Sequence, residues 1–328
     1  MALRLPDTRQ MQNPIPRYLE DAIAAEKSFE TQLRGFARDS EFAEVNAVFI
    51  SHADETKGQY DRLTARLHEL GGEPSGAKSI LAHVFNAAPG AAQLGHTAEE
   101  RVTQDLIMAY AVENAEIAMY ESLALTAKSF GDADTERLVR DIQSQEKEAA
   151  GRMWKLIDPV AGEAFARLNR SGRNPLISYL EDVEAAERNF EDALASFSKA
   201  GDQPEVQSLM SMMSAKARTQ HERLEARLRA LGGSPSTMKS ILAHMLAFTP
   251  VSAQSGHTPG EKSTQHLMIT YSAAAAEMAM YESLAVAARA ANDAETERLA
   301  RQLQNEEKED HHLAWDRLAS SALVSANS

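Results

Sequence analysis

The chain is one sequence written twice, in register. Landmarks from Asn13-Pro14 to Trp154 return 161 positions later, from Asn174-Pro175 to Trp315, with no insertion or deletion between them. Tyr18-Leu19-Glu20-Asp21 pairs with Tyr179-Leu180-Glu181-Asp182, Gly71-Gly72 with Gly232-Gly233, and Met119 to Leu123 with Met280 to Leu284. Solenoid repeats run at roughly 20–50 residues, so a period this long is a duplicated domain. Whatever one half folds into, the other must fold into as well. Positions kept in both halves are scaffold or shared chemistry, and polar positions kept in one half show where the copies have diverged.

Helical periodicity runs through each copy, and two-residue alternation never persists. Leu19, Ala22, Ile23, Glu26, Phe29, Leu33 and Phe36 trace one face of a first helix, opened by Pro14 and Pro16. Val45, Phe49, His52, Thr56, Gln59, Leu63, Leu67 and Leu70 trace a second, which Gly71-Gly72 ends. Lys78 to Asn86 reads as a short helix within a long crossover. A third helix is expected from about Ala98 to Phe130 with Thr97 as N-cap, and a fourth from about Ala133 to Ile157. Copy two repeats the plan from Pro175 to about Leu318. The fold class is all-α: two tandem four-helix bundles, each with one long helix 2 to helix 3 crossover, the connectivity of ferritin-like folds. The expected boundaries are an arm over 1–12, a first bundle over 13–158, a linker over 159–173, a second bundle over 174–319 and a tail over 320–328.

Composition removes several functions. With no cysteine, the chain has no disulfide framework, thiolate nucleophile or Cys-ligated zinc. A formal charge of −14 repels phosphate backbones, so nucleic acid is not an expected partner. No segment approaches the ~18 uninterrupted apolar residues of a membrane span, and Met1 to Gln12 lacks a signal-peptide core. A cytoplasmic protein without a membrane partner is expected.

The chemistry lies in acids placed where leucine would be expected. Glu26, Glu116 and Glu146 each fall on an inward stripe, and all three recur at Glu187, Glu277 and Glu307. A carboxylate in an apolar interior is costly unless paired, hydrogen-bonded or bound to a cation. Three such acids sharing one interior repel one another, and a hard or borderline cation resolves the conflict. In copy one, His52 and Glu55 share a helix face and Glu113 lies one turn before Glu116. The candidate ligands are Glu26, His52, Glu55, Glu113, Glu116 and Glu146, with Gln59, Tyr110 and Tyr120 as supporting hydrogen-bond partners.

The stretch His52-Ala-Asp-Glu55-Thr-Lys-Gly-Gln59-Tyr-Asp-Arg62-Leu63, with Ala25-Glu26-Lys27, Val112-Glu113-Asn-Ala-Glu116-Ile-Ala-Met-Tyr120 and Glu146-Lys147 around it, resembles the YciE/YciF-type ferritin-like family. The resemblance covers all four helices of copy one and the first, third and fourth of copy two. It implies a di-metal centre of iron or manganese in bacterial proteins linked to stress responses, usually dimeric and without an established reaction. Some members carry a histidine where this chain has Lys57 and an aspartate where it has Ala150.

Copy two has Met213 for His52, Lys216 for Glu55 and Ala274 for Glu113. Its site is expected to be degraded, with the Lys216 ammonium standing in for metal beside Glu187, Glu277 and Glu307. A Glu307/His311 pair at one-turn spacing offers a mononuclear alternative. Three functions follow from these residues: a di-metal oxidase or peroxidase-like protein acting on dioxygen or peroxide, a metal-binding stress protein without turnover, and a non-catalytic helical module that has lost its metal. Fusing the two halves of a symmetric pair predicts an internal pseudo-dimer, monomeric or weakly self-associating.

Overall fold

The computed structural model describes residues 13–74, 97–170, 175–235 and 258–326. Among them are eight helices and no strand: α1 (Ile15–Asp39), α2 (Ala43–Glu69), α3 (Ala98–Ser129) and α4 (Ala133–Arg170) in the first bundle, then α5 (Pro175–Phe197), α6 (Pro204–Ala230), α7 (Pro259–Ala290) and α8 (Ala294–Ala326) in the second. The short crossover helix expected at Lys78 to Asn86 and the arm over 1–12 lie outside the described residues. No described helix is long and apolar enough to cross a membrane.

The expected stripes are the buried faces. Val45, Phe49, His52, Thr56, Gln59, Leu63 and Leu67 of α2 are all buried, as are Leu19, Ala22, Ile23, Glu26, Phe29, Leu33 and Phe36 of α1. Thr97 caps α3 in a reciprocal box: its side chain accepts from Glu100 N at 3.3 Å, and Glu100 Oε2 accepts from Thr97 N at 2.8 Å. Thr258 and Glu261 repeat the device on α7 at 3.2 and 2.7 Å. Between α3 and α4 the chain turns through Gly131 at φ 75°, and the matching position in copy two is Asn292 at φ 58°. Both conformations are left-handed, which glycine adopts freely and asparagine tolerates better than most residues.

The fourth helix departs from expectation. It does not stop near Ile157 but continues to Arg170, through Pro159 and most of the segment expected as a linker. Pro159 removes one helical hydrogen bond at a cost of about 3 kcal/mol. Val160, Phe165 and Leu168 in the extension are all buried, and each contributes about 1.5–3 kcal/mol, so burial outweighs the break. Gly162 lies where an added Cβ would meet Val286 Cγ1 of α7 at 3.5 Å, so the extension straps bundle 1 onto bundle 2. The expected tail is likewise helical to Ala326, with Ser321, Ala322 and Ser325 buried.

The bundles pack side by side through α3 and α7, which meet each other as well as their own bundles and are therefore buried on nearly every face. Ser272 Oγ donates to the Ala111 carbonyl at 2.7 Å. These two residues occupy equivalent positions in the repeat, so a pseudo-twofold axis passes close to this contact, as in a self-complementary interface. Across the same junction, Tyr18 of α1 donates to Glu261 Oε1 at 2.8 Å, and Arg17 pairs with the same oxygen.

Candidate metal centre

In bundle 1 the four helices each aim an ionisable side chain at one interior. Two groups form there, His52–Glu113–Glu146 and Glu26–Glu116–Glu146, each with one ligand atom per residue lying within 4.8 Å of the others. Glu146 belongs to both. A carboxylate has two oxygens, so Glu146 could contribute one to each group.

These side chains are fully buried, yet the protein does not satisfy them. Neither oxygen of Glu113, Glu116 or Glu146 has a hydrogen-bond partner, nor does Glu26 Oε2 or His52 Nε2. His52 Nε2 lies 2.6 Å from Glu113 Oε1 and 3.6 Å from Glu146 Oε2, without hydrogen-bond alignment to either. Buried polar atoms are normally partnered, so these carboxylates call for an explanation, and they are grouped closely enough that they could hold a metal ion. Burial raises Glu26 to about 8 against the stabilising hydrogen bond from Tyr120. Burial, reinforced by the neighbouring acids, pushes Glu116 and Glu146 well above the carboxylate range. For His52, burial opposes the imidazolium, but Glu113 and Glu55 outweigh it and raise the ring to about 9. With no positive charge but His52 beside them among the described residues, Glu26, Glu116 and Glu146 favour their protonated forms.

Glu55, expected as a ligand, stands outside both groups. Its Oε2 lies 3.1 Å from His52 Nδ1 and pairs with Arg152, and its side chain is 37% exposed. The hydrogen bond with His52 holds Glu55 below the usual carboxylate range, against a burial penalty and with help from Arg152. An acceptor on Nδ1 fixes the tautomer that leaves Nε2 free for a metal. The Tyr120 hydroxyl donates to Glu26 Oε1, and Phe29 meets the His52 ring edge-on at 5.7 Å. Gln59 instead bonds Gln145 at 3.1 Å, and Tyr110 packs on Trp154 at the junction between bundles, away from the site.

Bundle 2 keeps one of the two groups. Glu187, Glu277 and Glu307 converge within 4.8 Å, position for position with Glu26, Glu116 and Glu146, and Tyr281 donates to Glu187 as Tyr120 does to Glu26. Met213 and Ala274 stand where His52 and Glu113 stand, so the second group loses its histidine and one of its two carboxylates. Gln220 donates to Glu307 Oε1 at 2.7 Å, and burial still raises Glu307 to about 7. Burial drives Glu187 and Glu277 higher as well.

Two expectations for this half are corrected. Lys216 does not sit on the three glutamates: its ammonium bonds Asp310 Oδ1 at 2.9 Å and the Glu306 carbonyl at 2.6 Å, drawn there by a buried acid that copy one lacks. His311 does not join Glu307. It turns to the junction between bundles, where it stacks on Tyr271 at 3.8 Å, lies 3.3 Å from Asn114 Oδ1, and is held neutral by burial, which lowers it to about 3. Adjacent helix positions point about 100° apart, so Asp310 takes the inward direction and His311 cannot. Asp310 and Arg152 were not singled out from the sequence. The signal for Asp310 was its alignment with Ala149, a buried small residue; Arg152 carried none.

The family described as "Domain of unknown function (DUF892)" matches residues 16–166 and again 172–316. No solved structure matches the chain. Each match takes in one bundle with its inward-facing glutamates, and together they span most of the sequence. The protein belongs to the DUF892 family and carries that domain twice.

Proposed function

We propose that this chain is a ferritin-like di-metal carboxylate protein whose centre lies in bundle 1 and whose second bundle keeps a degraded counterpart. The observation that carries this reading is the pair of ligand groups sharing Glu146, built from fully buried carboxylates whose oxygens, apart from Glu26 Oε1, lack a hydrogen-bond partner. Glu26 and Glu116 would hold one cation, His52 and Glu113 the other, and Glu146 both. An oxygen-rich set with one imidazole suits iron or manganese. The resemblance of the helix-two motif to YciE/YciF-type proteins points to the same metals and to a role in stress protection. Bound as a pair, these metals would supply electrons to dioxygen or peroxide.

The chain's own residues prepare that chemistry. Glu55 and Arg152 hold the His52 ring with Nε2 inward, Tyr120 fixes one oxygen of Glu26 so that the other faces the centre, and Phe49, Leu63 and Met153 belong to the fully buried apolar core of the same bundle. Tyr120 is also a proton donor in direct contact with a ligand.

Metal counting on protein from a metal-replete source tests the proposal. Two ions per chain are expected, with Glu307→Gln leaving the count unchanged; a metal-free chain whose melting temperature ignores added iron or manganese would leave only a structural role. Peroxide-dependent oxidation faster than that of free metal in the same buffer separates an oxidase from a passive metal binder. Glu55→Ala is expected to weaken metal binding by about 10–100-fold without abolishing it, the usual effect of losing a group that orients a ligand. Equilibrium dialysis measures this, and complete loss of both ions would make Glu55 a ligand after all.

A further inference from the structure

The junction between the bundles carries a second site, independent of the metal centre. A cleft of about 500 Å3 opens there beside α3 and α4, walled by Tyr110 and Trp154, floored by Ala150, and edged by Lys147 from bundle 1 and Lys308 from bundle 2. Tyr110 and Trp154 lie 5.2 Å apart between ring centroids. The two lysines are equivalent positions of the repeat, so the pseudo-twofold symmetry that joins the bundles brings both to this one opening.

The same symmetry supplies a mate to the aromatic wall. Tyr271 and Trp315 repeat it, again at 5.2 Å, but here His311 replaces Ala150 and lays its ring on Tyr271 at 3.8 Å with 24° between planes. Its Nε2 lies 3.3 Å from Asn114 Oδ1. On this side the chain has filled the slot with a flat ring of its own. On the other, Ala150 and Gly151 stand where His311 and His312 stand, and the equivalent space beside Tyr110 is the cleft. The filled side is thus a template for what the open side accepts: a planar ring that stacks on a tyrosine. The edges differ from the template in charge. Lys147 and Lys308 both line the cleft in a chain of net charge −14, and the Lys147 ammonium lies over the Trp315 ring at 5.5 Å. Aromatic faces bind flat rings by offset stacking, and paired lysines select an anionic substituent.

We propose that this cleft binds a small aromatic carboxylate, its ring stacked on Tyr110 where copy two places His311 on Tyr271, and its charge held between Lys147 and Lys308.

Isothermal titration of the full-length, metal-free chain with benzoate tests it, with benzamide and acetate as probes lacking the charge and the ring respectively. Saturable benzoate binding at one site per chain is expected, with both comparison compounds at least about tenfold weaker, a difference titration resolves easily. Ala150→His, which writes the second half's own ring into the slot, is expected to abolish binding while helical content and melting temperature hold. Because that variant adds bulk at a buried position, Lys308→Met on the exposed rim provides a second reading, with about tenfold weaker binding expected. Glu146→Gln is expected to leave benzoate affinity unchanged. No saturable binding, unchanged affinity in Lys308→Met or in a folded Ala150→His, or loss of binding in Glu146→Gln, which would move the benzoate to the carboxylate centre, would each overturn the proposal.

Discussion

Replacing Glu146 by glutamine is expected to take the metal content of the chain from two ions to none after desalting. Glu146 is the one residue common to both ligand groups in bundle 1, so its loss removes a ligand from each cation at once. Orienting groups one layer further out already cost about 10–100-fold in affinity, and a bridging ligand should cost at least that much at both positions. His52→Ala should remove only the ion held with Glu113. The same change is expected to act in opposite directions on the two forms of the protein. In the metal-free chain, Glu146 is a fully buried acid raised by burial and by Glu113, Glu26 and Glu116, so a neutral amide of the same size should raise the melting temperature slightly. In the presence of metal the order reverses, because the wild type gains the linkage free energy of binding and the variant does not. Calorimetric scans with and without manganese, set beside elemental analysis, check both signs. A variant that keeps both ions, or melts lower in both conditions, would show Glu146 to be an ordinary core residue.

Much of this arrangement could be read from the duplicated sequence because burial in a helical bundle follows period. Acids that interrupted an otherwise apolar stripe, Glu26, Glu116 and Glu146, were conspicuous for their placement, and the second copy repeated each of them. Glu55 shows where period fails. Spacing puts it on the face of His52, but a stripe has edges, and at its edge a side chain can turn to a half-buried arginine on α4 instead of the interior. His311 shows the same limit from the other side: one turn from Glu307 by count, it is carried to the junction because Asp310 takes the inward direction. The extension of α4 through Pro159 was hidden for a different reason. The proline is a strong local signal for a stop, whereas the apolar face that overrides it is buried only by the other bundle, which no local window can see. The pairing of the bundles through equivalent positions such as Ala111 and Ser272 likewise depends on three-dimensional symmetry.

The metal-free protein is expected to lose stability as pH rises from about 5 to 9, at a range of pH where most proteins hold theirs. The sign follows from proton binding. Glu26 is raised from its usual 4.5 to about 8 and Glu307 to about 7, so between those limits the folded chain holds protons that the unfolded chain has already released. His52, raised from 6.5 to about 9, acts in the same direction. Each contribution is complete below the unfolded pKa and is lost as pH climbs through the folded one. A net difference of even 2–3 kcal/mol would lower the melting temperature by roughly 3–4 °C in a chain of this length. Metal reverses the trend, since the ions replace these protons, and the gap between loaded and metal-free melting temperatures should widen with pH. Proton release on loading, measured by titration calorimetry in two buffers of different ionisation enthalpy, gives the same linkage a second readout. Glutamine at both Glu26 and Glu307 serves as the control: it should make the slope shallower if the buried acids cause it, and an unchanged slope would assign the effect to repulsion over the acidic surface.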